Sequence, residues 1–160
     1  MKNVDESYES TVVEVFERQV EDSPNLVAVC CEQNKLSYQE LNAKANQFAN
    51  WMQQQGLKTG DFVGLLFEPG IDFIISALGV IKAGGVYMPL DSLAPEERLN
   101  HIVMDAAPCM IISSEKYKDY FNKTNGPPVY SITTIHAAAD TLTSENLTLN
   151  VRPLRKLAAE

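Results

Sequence analysis

Cysteine and positive charge are both scarce in this chain of 160 residues. It has three cysteines, of which Cys30 and Cys31 are adjacent, so we expect no disulfide framework and a cytoplasmic location. Thirteen Lys and Arg face 21 Asp and Glu, and a net charge of −8 repels nucleic-acid phosphates. Apolar runs stay short of the roughly 18 residues that a membrane span requires. We therefore expect neither a nucleic-acid-binding protein nor a membrane protein.

Motifs for nucleotide phosphates and for hydrolysis are also missing. The sequence contains neither GxxxxGK[ST] nor GxGxxG, and no serine lies in GxSxG. The nearest candidate is Lys82-Ala83-Gly84-Gly85, where a phosphate would lie beside Lys82. This segment ends a predicted helix, however, whereas phosphates bind at helix N-termini. We predict instead that Lys82 complements the helix C-terminus and that Gly84 caps it.

The remaining reactive side chains are scattered. His101 and His136 have no neighbours at metal-ligand spacing, so we expect surface or packing roles for both. The cysteines lie in or beside apolar strands, which predicts buried, inert thiols at Cys30, Cys31 and Cys109. The unpaired aspartates are expected in loops, caps or on the surface: Asp72, Asp91 and Asp105. We predict no catalytic, cofactor-binding or metal-binding residue in this chain.

Residues 62–113 alternate between strand and helix signals. Apolar runs predict strands at Phe62–Phe67, Val86–Leu90 and Met110–Ser113. A helix is predicted at Ile71–Lys82, and a second begins with Pro95 as its first helical residue. Because such connections suit parallel crossovers, the predicted fold class is α/β, with a largely parallel sheet flanked by helices.

Capping boxes predict two earlier helices. Thr11 with Glu14 begins the first, and Ser37 with Glu40 begins a longer one that ends near Gly56. Between them, a strand at Leu26–Cys31 precedes a polar turn at residues 32–35.

The pattern weakens towards the C-terminus. Residues 122–128 read as a loop, followed by a short strand at Val129–Ile132 and a short helix at Ile135–Asp140. The predicted organisation is an N-terminal extension at 1–9, an α/β subdomain at 10–115 and a less patterned continuation or tail at 116–160.

Two segments resemble core motifs of amino-acid adenylation domains in nonribosomal peptide synthetases. Leu36-Ser37-Tyr38-Gln39-Glu40-Leu41 is similar to the first motif, and Ile81-Lys82-Ala83-Gly84-Gly85-Val86-Tyr87-Met88-Pro89-Leu90-Asp91 to the second. The flanking Phe16–Pro24, Asn42–Phe48 and Pro95–Arg98 also look like the family's sequence. The resemblance covers roughly residues 10–115 and implies the first subdomain of the large N-terminal portion of adenylate-forming enzymes.

The resemblance implies a function for a longer parent protein. The parent would convert an amino acid and Mg-ATP to aminoacyl-AMP and pyrophosphate, and then load a carrier-protein phosphopantetheine thiol. The family's ATP-binding and catalytic motifs come later than these two, so no such residue is carried over and the fragment alone is expected to be inactive. Its partners would be the remainder of the adenylation domain and a carrier-protein domain.

Two alternatives stay open at this point. One is a fragment of an acyl-CoA or aryl-acid-activating ligase, although Asp91 favours amino acids because fatty-acid relatives more often carry Asn there. The other is a short, non-catalytic α/β interaction module. The fragment interpretation also predicts an exposed apolar patch, and with it self-association, as a symmetric dimer.

Overall fold

The computed structural model describes residues 11–121 and 125–147. It begins with a helix α1 (Val12–Asp22), a hairpin of strands β1 (Val27–Cys31) and β2 (Asn34–Ser37), and a long helix α2 (Tyr38–Gln54). Both predicted capping boxes are confirmed, with hydroxyl-to-amide distances of 3.1 Å at Thr11–Glu14 and at Ser37–Glu40. The strands are antiparallel and pair Cys31 with Asn34, so the turn is two residues shorter than predicted.

Residues 62–113 form the predicted parallel sheet and its crossover helices. The elements are β3 (Phe62–Phe67), α3 (Ile71–Lys82), β4 (Val86–Asp91), α4 (Glu96–Ala106) and β5 (Met110–Ser113). Strands β4 and β5 flank β3, and both run parallel to it. The predicted fold class is therefore confirmed.

The start of α4 differs from the prediction by one residue. Pro95 is not its first helical residue but the N-cap, with an extended ψ of 143°. Its carbonyl oxygen accepts the N–H of Leu99 at 3.1 Å, which is the role of an N-cap residue.

The described residues after β5 continue the same sheet. A 3-10 turn (Glu115–Tyr117) precedes strand β6 (Val129–Ser131) and helix α5 (Ile132–Ala139), and β6 runs parallel to β5. The helix begins three residues earlier than predicted, because the Ser131 hydroxyl caps it by accepting the N–H of Thr133 at 3.2 Å. The predicted extension at 1–9, part of the loop and residues 148–160 lie outside the described residues, and the boundary after 115 stays a prediction.

Alternation along the strands divides the core between the two faces of the sheet. One face, which bears Val63, Leu65 and Ile112, packs in one cluster with residues of α2, α3 and α5. The other face bears Leu66 and Ile111, which pack with Leu99 and Val103 of α4. The result is three layers, with β3 and β5 buried on both sides.

Candidate functional site

A crevice lies at the carboxyl ends of β3 and β5, facing the β1–β2 hairpin. The chain leaves β3 for β4 on one side and later adds β5 on the other, so this is the point where the strand order reverses. Open α/β sheets bind their ligands at such points. The crevice has a volume of about 620 Å³. Its charged and hydroxyl-bearing lining residues are Glu32, Lys35, Lys44, Glu68, Asp72, Ser114 and His136.

The N-terminus of α3 opens into the crevice. Gly70 is its N-cap, and no side chain caps this end within the described part of the chain. Its first-turn amides leave a partial positive charge there. Asp72, in that same first turn, already supplies a negative charge. The helix end is therefore partly neutralised by its own sequence.

Two of the acidic groups of the crevice, Glu68 and Asp72, have partners of their own. Glu68 accepts hydrogen bonds from Lys116 Nζ at 3.1 Å and from the Tyr117 hydroxyl at 3.2 Å, and these bonds lower the pKa of the Glu68 carboxyl. His136 Nε2 lies 3.6 Å from Asp72 Oδ1. Because both signs of charge line the walls, the crevice does not select for a strongly anionic or cationic ligand.

A second polar group ties the strand ends together. Glu115, the first residue of the 3-10 turn after β5, accepts hydrogen bonds from the Lys118 ammonium at 2.5 Å and from the hydroxyl of Ser131 at the end of β6. The hydrogen bond from Lys118 is the largest cause that lowers the pKa of the Glu115 carboxyl. This carboxylate thus links the turn after β5 to the end of β6.

Lys82 lies away from the crevice. It is in the last turn of α3 and Gly84 follows with φ of 90°, as the helix-ending interpretation predicts. Its side chain, however, is fully buried and forms an ion pair with Glu17. Sequence reasoning missed this partner, although Lys82 comes seven residues after Ile75 and so lies on the buried stripe of α3.

The prediction of buried cysteines is wrong. Cys30 and Cys109 are exposed and Cys31 is half-buried, and all three are free thiols. The apolar run that contains Cys30 and Cys31 forms one strand of a two-stranded hairpin, which covers less of its side chains than a central strand would. At Cys109, partial burial and the nearby Asp61 raise the pKa of the thiol, which disfavours the reactive thiolate.

The other isolated residues are where the sequence places them. His101 and Asp105 are exposed on α4. His136 packs its ring edge-on against Phe48, with centroids 4.9 Å apart. Asp91 accepts the N–H of Leu93 at 2.9 Å in the turn after β4. Over residues 11–121 and 125–147, no cluster of three or more His, Cys, Asp and Glu side chains suited to a metal ion occurs.

Within the part of the chain that the structure describes, no helix combines the length and the apolar character needed to cross a membrane.

The fold is that of an adenylate-forming enzyme's sheet subdomain. The nonribosomal peptide synthetase FmoA3, solved with AMPPNP bound, superposes with a TM-score of 0.82 at 26% identity, over 91% of this chain and 15% of that one. The anthranilate CoA ligase AuaEII, in complex with anthranoyl-AMP, shares the fold with a TM-score of 0.84 at 17% identity, over 95% of this chain and 31% of that one. The model of the AMP-binding enzyme family matches residues 16–156, and the chain belongs to this family.

Curated relatives narrow the class to peptide synthetases. Gramicidin S synthase 2 of Brevibacillus brevis is 44% identical over 103 residues, which are 64% of this chain and 2% of that protein. Tyrocidine synthase 1 of Brevibacillus parabrevis is 38% identical over 105 residues, 66% of this chain and 10% of that protein. The chain is therefore part of a peptide-synthetase adenylation domain and spans a small share of these relatives' length. The acyl-CoA ligase and interaction-module alternatives are not favoured.

Proposed function

We propose that this chain serves a longer enzyme that activates an amino acid with Mg-ATP. The amino-acid carboxylate would join AMP and release pyrophosphate, and the thiol of a carrier-protein phosphopantetheine would then take the aminoacyl group and release AMP. The observation that carries the proposal is the identity of 44% with gramicidin S synthase 2 over 103 residues.

Within that enzyme, this chain would act as a scaffold. Its two motif segments have structural explanations, since one begins α2 with a capping box and the other ends α3 and enters β4. The sequence contains no Gly-rich phosphate cradle. The residues that contact ATP and Mg would accordingly come from the rest of the adenylation domain.

Amino-acid-dependent pyrophosphate exchange tests this division of labour. We expect exchange by the full-length natural protein and none by the 160-residue chain. Calorimetry should likewise detect no Mg-dependent ATP binding by the chain alone. Exchange absent from the full-length protein with every proteinogenic amino acid would contradict the proposed activity, and micromolar ATP binding by the chain would contradict the scaffold role.

The partners would be the remainder of the adenylation domain and a carrier-protein domain. Large apolar side chains that such partners could cover are exposed, with Leu93 at 91% and Met104 at 73% exposure. Others are Val12, Val15, Leu26, Val27, Phe62, Val86 and Tyr87. For the chain without these partners, we propose a homodimer in which the exposed apolar side chains form the interface. Sedimentation velocity should show it, and a monomer at high concentration would contradict it.

A cytoplasmic location completes the proposal. It is supported by the three free cysteines, which a reducing compartment preserves. Fractionation of the natural host should recover the protein with cytoplasmic markers, and recovery among secreted proteins would contradict this.

A further inference from the structure

Helix α1 contacts the remainder of the fold through a narrow stripe of side chains. Val13 is its buried apolar residue, and Phe16 is half-buried against the main core. Glu17 lies four residues after Val13 and therefore on the same face. The helix packs on α2 and α3 and contributes no strand to either sheet. Its removal would break no strand pairing.

The opposing surface presents a buried cation. The Lys82 side chain has 0% exposure, and its Nζ lies 2.5 Å from Glu17 Oε1, whose side chain is 21% exposed. The Phe16 ring covers the ammonium, with 5.7 Å between Nζ and the ring centroid. Burial lowers the pKa of Lys82, and the bond and charge of Glu17 oppose that shift. Glu17 is the charged group that the structure places against Lys82.

The two members of the pair are not equivalent. Glu17 keeps some contact with water, whereas Lys82 has none. The Lys82 side chain has no exposed surface, so loss of the Glu17 charge leaves a buried cation with neither a counter-charge nor water. Such a group is far more costly than the intact pair. Moving α1 away is the change that brings water to Nζ while keeping the sheet intact.

We propose that the Glu17–Lys82 ion pair is a latch for α1: neutralising Glu17 releases this helix as a unit, while the four-stranded sheet and its flanking helices stay folded. Local release of this kind is available to elements with few buried contacts. The inference concerns the chain itself and does not depend on the adenylation activity.

Hydrogen exchange followed by mass spectrometry on the 160-residue chain tests the latch. Glu17→Gln should accelerate exchange of the α1 amides about a hundredfold and leave those of β3 within about twofold. Glu21→Gln is the matched control, because Glu21 is exposed on the same helix and the charge change is identical. It should leave α1 within about twofold of the unmodified chain.

The double variant Glu17→Gln/Lys82→Met tests whether the effect of Glu17→Gln comes from the unpaired Lys82 charge or from altered packing of α1. With no buried cation left, α1 protection should return to within about tenfold of the unmodified chain. The latch is overturned if Glu17→Gln and Glu21→Gln behave alike, if α1 and β3 accelerate together, or if the double variant stays as unprotected as Glu17→Gln. Failure of Glu17→Gln to fold would also overturn it, because the pair would then support the whole fold.

Discussion

The two sides of α2 hold their neighbours by different physics. One side is apolar and packs so closely on α3 that a Cβ added to Gly79 would lie 2.9 Å from Phe48 Cβ. The other side carries amides at Asn42, Asn46, Gln47 and Asn50, which hold residues 142–146. On the apolar side, close packing of side chains holds α3 in place. On the amide side, directed hydrogen bonds hold residues 142–146 in place.

The amide side acts on a segment without regular structure. Asn46 Nδ2 donates to the Ser144 carbonyl at 2.8 Å and to Asn146 Oδ1 at 3.0 Å, and Asn50 Nδ2 donates to the Thr143 carbonyl at 3.1 Å. Leu142 and Leu147 pack against the main core. A segment that lacks a strand partner thus obtains donors for its carbonyl groups from the amide side chains of α2.

Phe48→Ala should have the largest effect on this comparison. Phe48 has 1% exposure and lies at the centre of the α2–α3 contact. We expect a loss of about 3–5 kcal/mol in the free energy of unfolding, because the substitution leaves a cavity. Urea denaturation measures it, with Phe62→Ala as control, since Phe62 is 46% exposed. Equal losses from the two substitutions would contradict the assignment of the core to this side.

Gly79→Ala should reverse the usual sign of such a substitution. Alanine normally stabilises a helix interior by about 1 kcal/mol relative to glycine. Here the new methyl would also lie 3.3 Å from the Ala45 carbonyl oxygen, which the backbone of α2 holds in place. We expect a net loss of about 2 kcal/mol in thermal or urea unfolding. A gain in stability would show that the two helices are not in close contact.

Asn46→Ala tests the amide side. The side chain is fully buried and its two hydrogen bonds to residues 144 and 146 disappear. The expected loss is about 1–2 kcal/mol, because the Ser144 carbonyl loses its donor, whereas Asn146 Oδ1 keeps the hydrogen bond from Asn42. Limited proteolysis should cut more rapidly within 142–147 and no faster within β3. Unchanged cleavage at 142–147 would show that the amide side does not hold this segment.

Sequence reasoning succeeded where structure is decided locally. The capping boxes at Thr11 and Ser37, the buried strands and the helix end at Gly84 depend on neighbours within a few residues. It failed where partners are distant. Glu17 and Lys82 lie 65 residues apart, and the segment held by Asn46 lies 98 residues from it. No periodicity encodes such contacts.

The crevice could not be predicted from the sequence for the same reason. Its walls come from the hairpin turn, the end of β3, the start of α3 and the residue after β5. The order of strands, which places β5 beside β3, is set by packing of the whole sheet. The exposed Cys30 shows the converse error, since an apolar run predicts a strand but does not reveal how many neighbours that strand has.

Asn50→Ala should have the smallest effect and sharpens the comparison. Asn50 makes the same kind of bond to the same segment, with its Nδ2 3.1 Å from the Thr143 carbonyl, but this bond is exposed. Water can replace the lost donor there, so we expect a change within about 0.5 kcal/mol and little change in proteolysis. Burial would then decide the strength of each amide contact. If Asn50→Ala lowered the free energy of unfolding as much as Asn46→Ala, burial would not set the strength of these amide contacts. The hydrogen bond alone would then account for the loss at both positions.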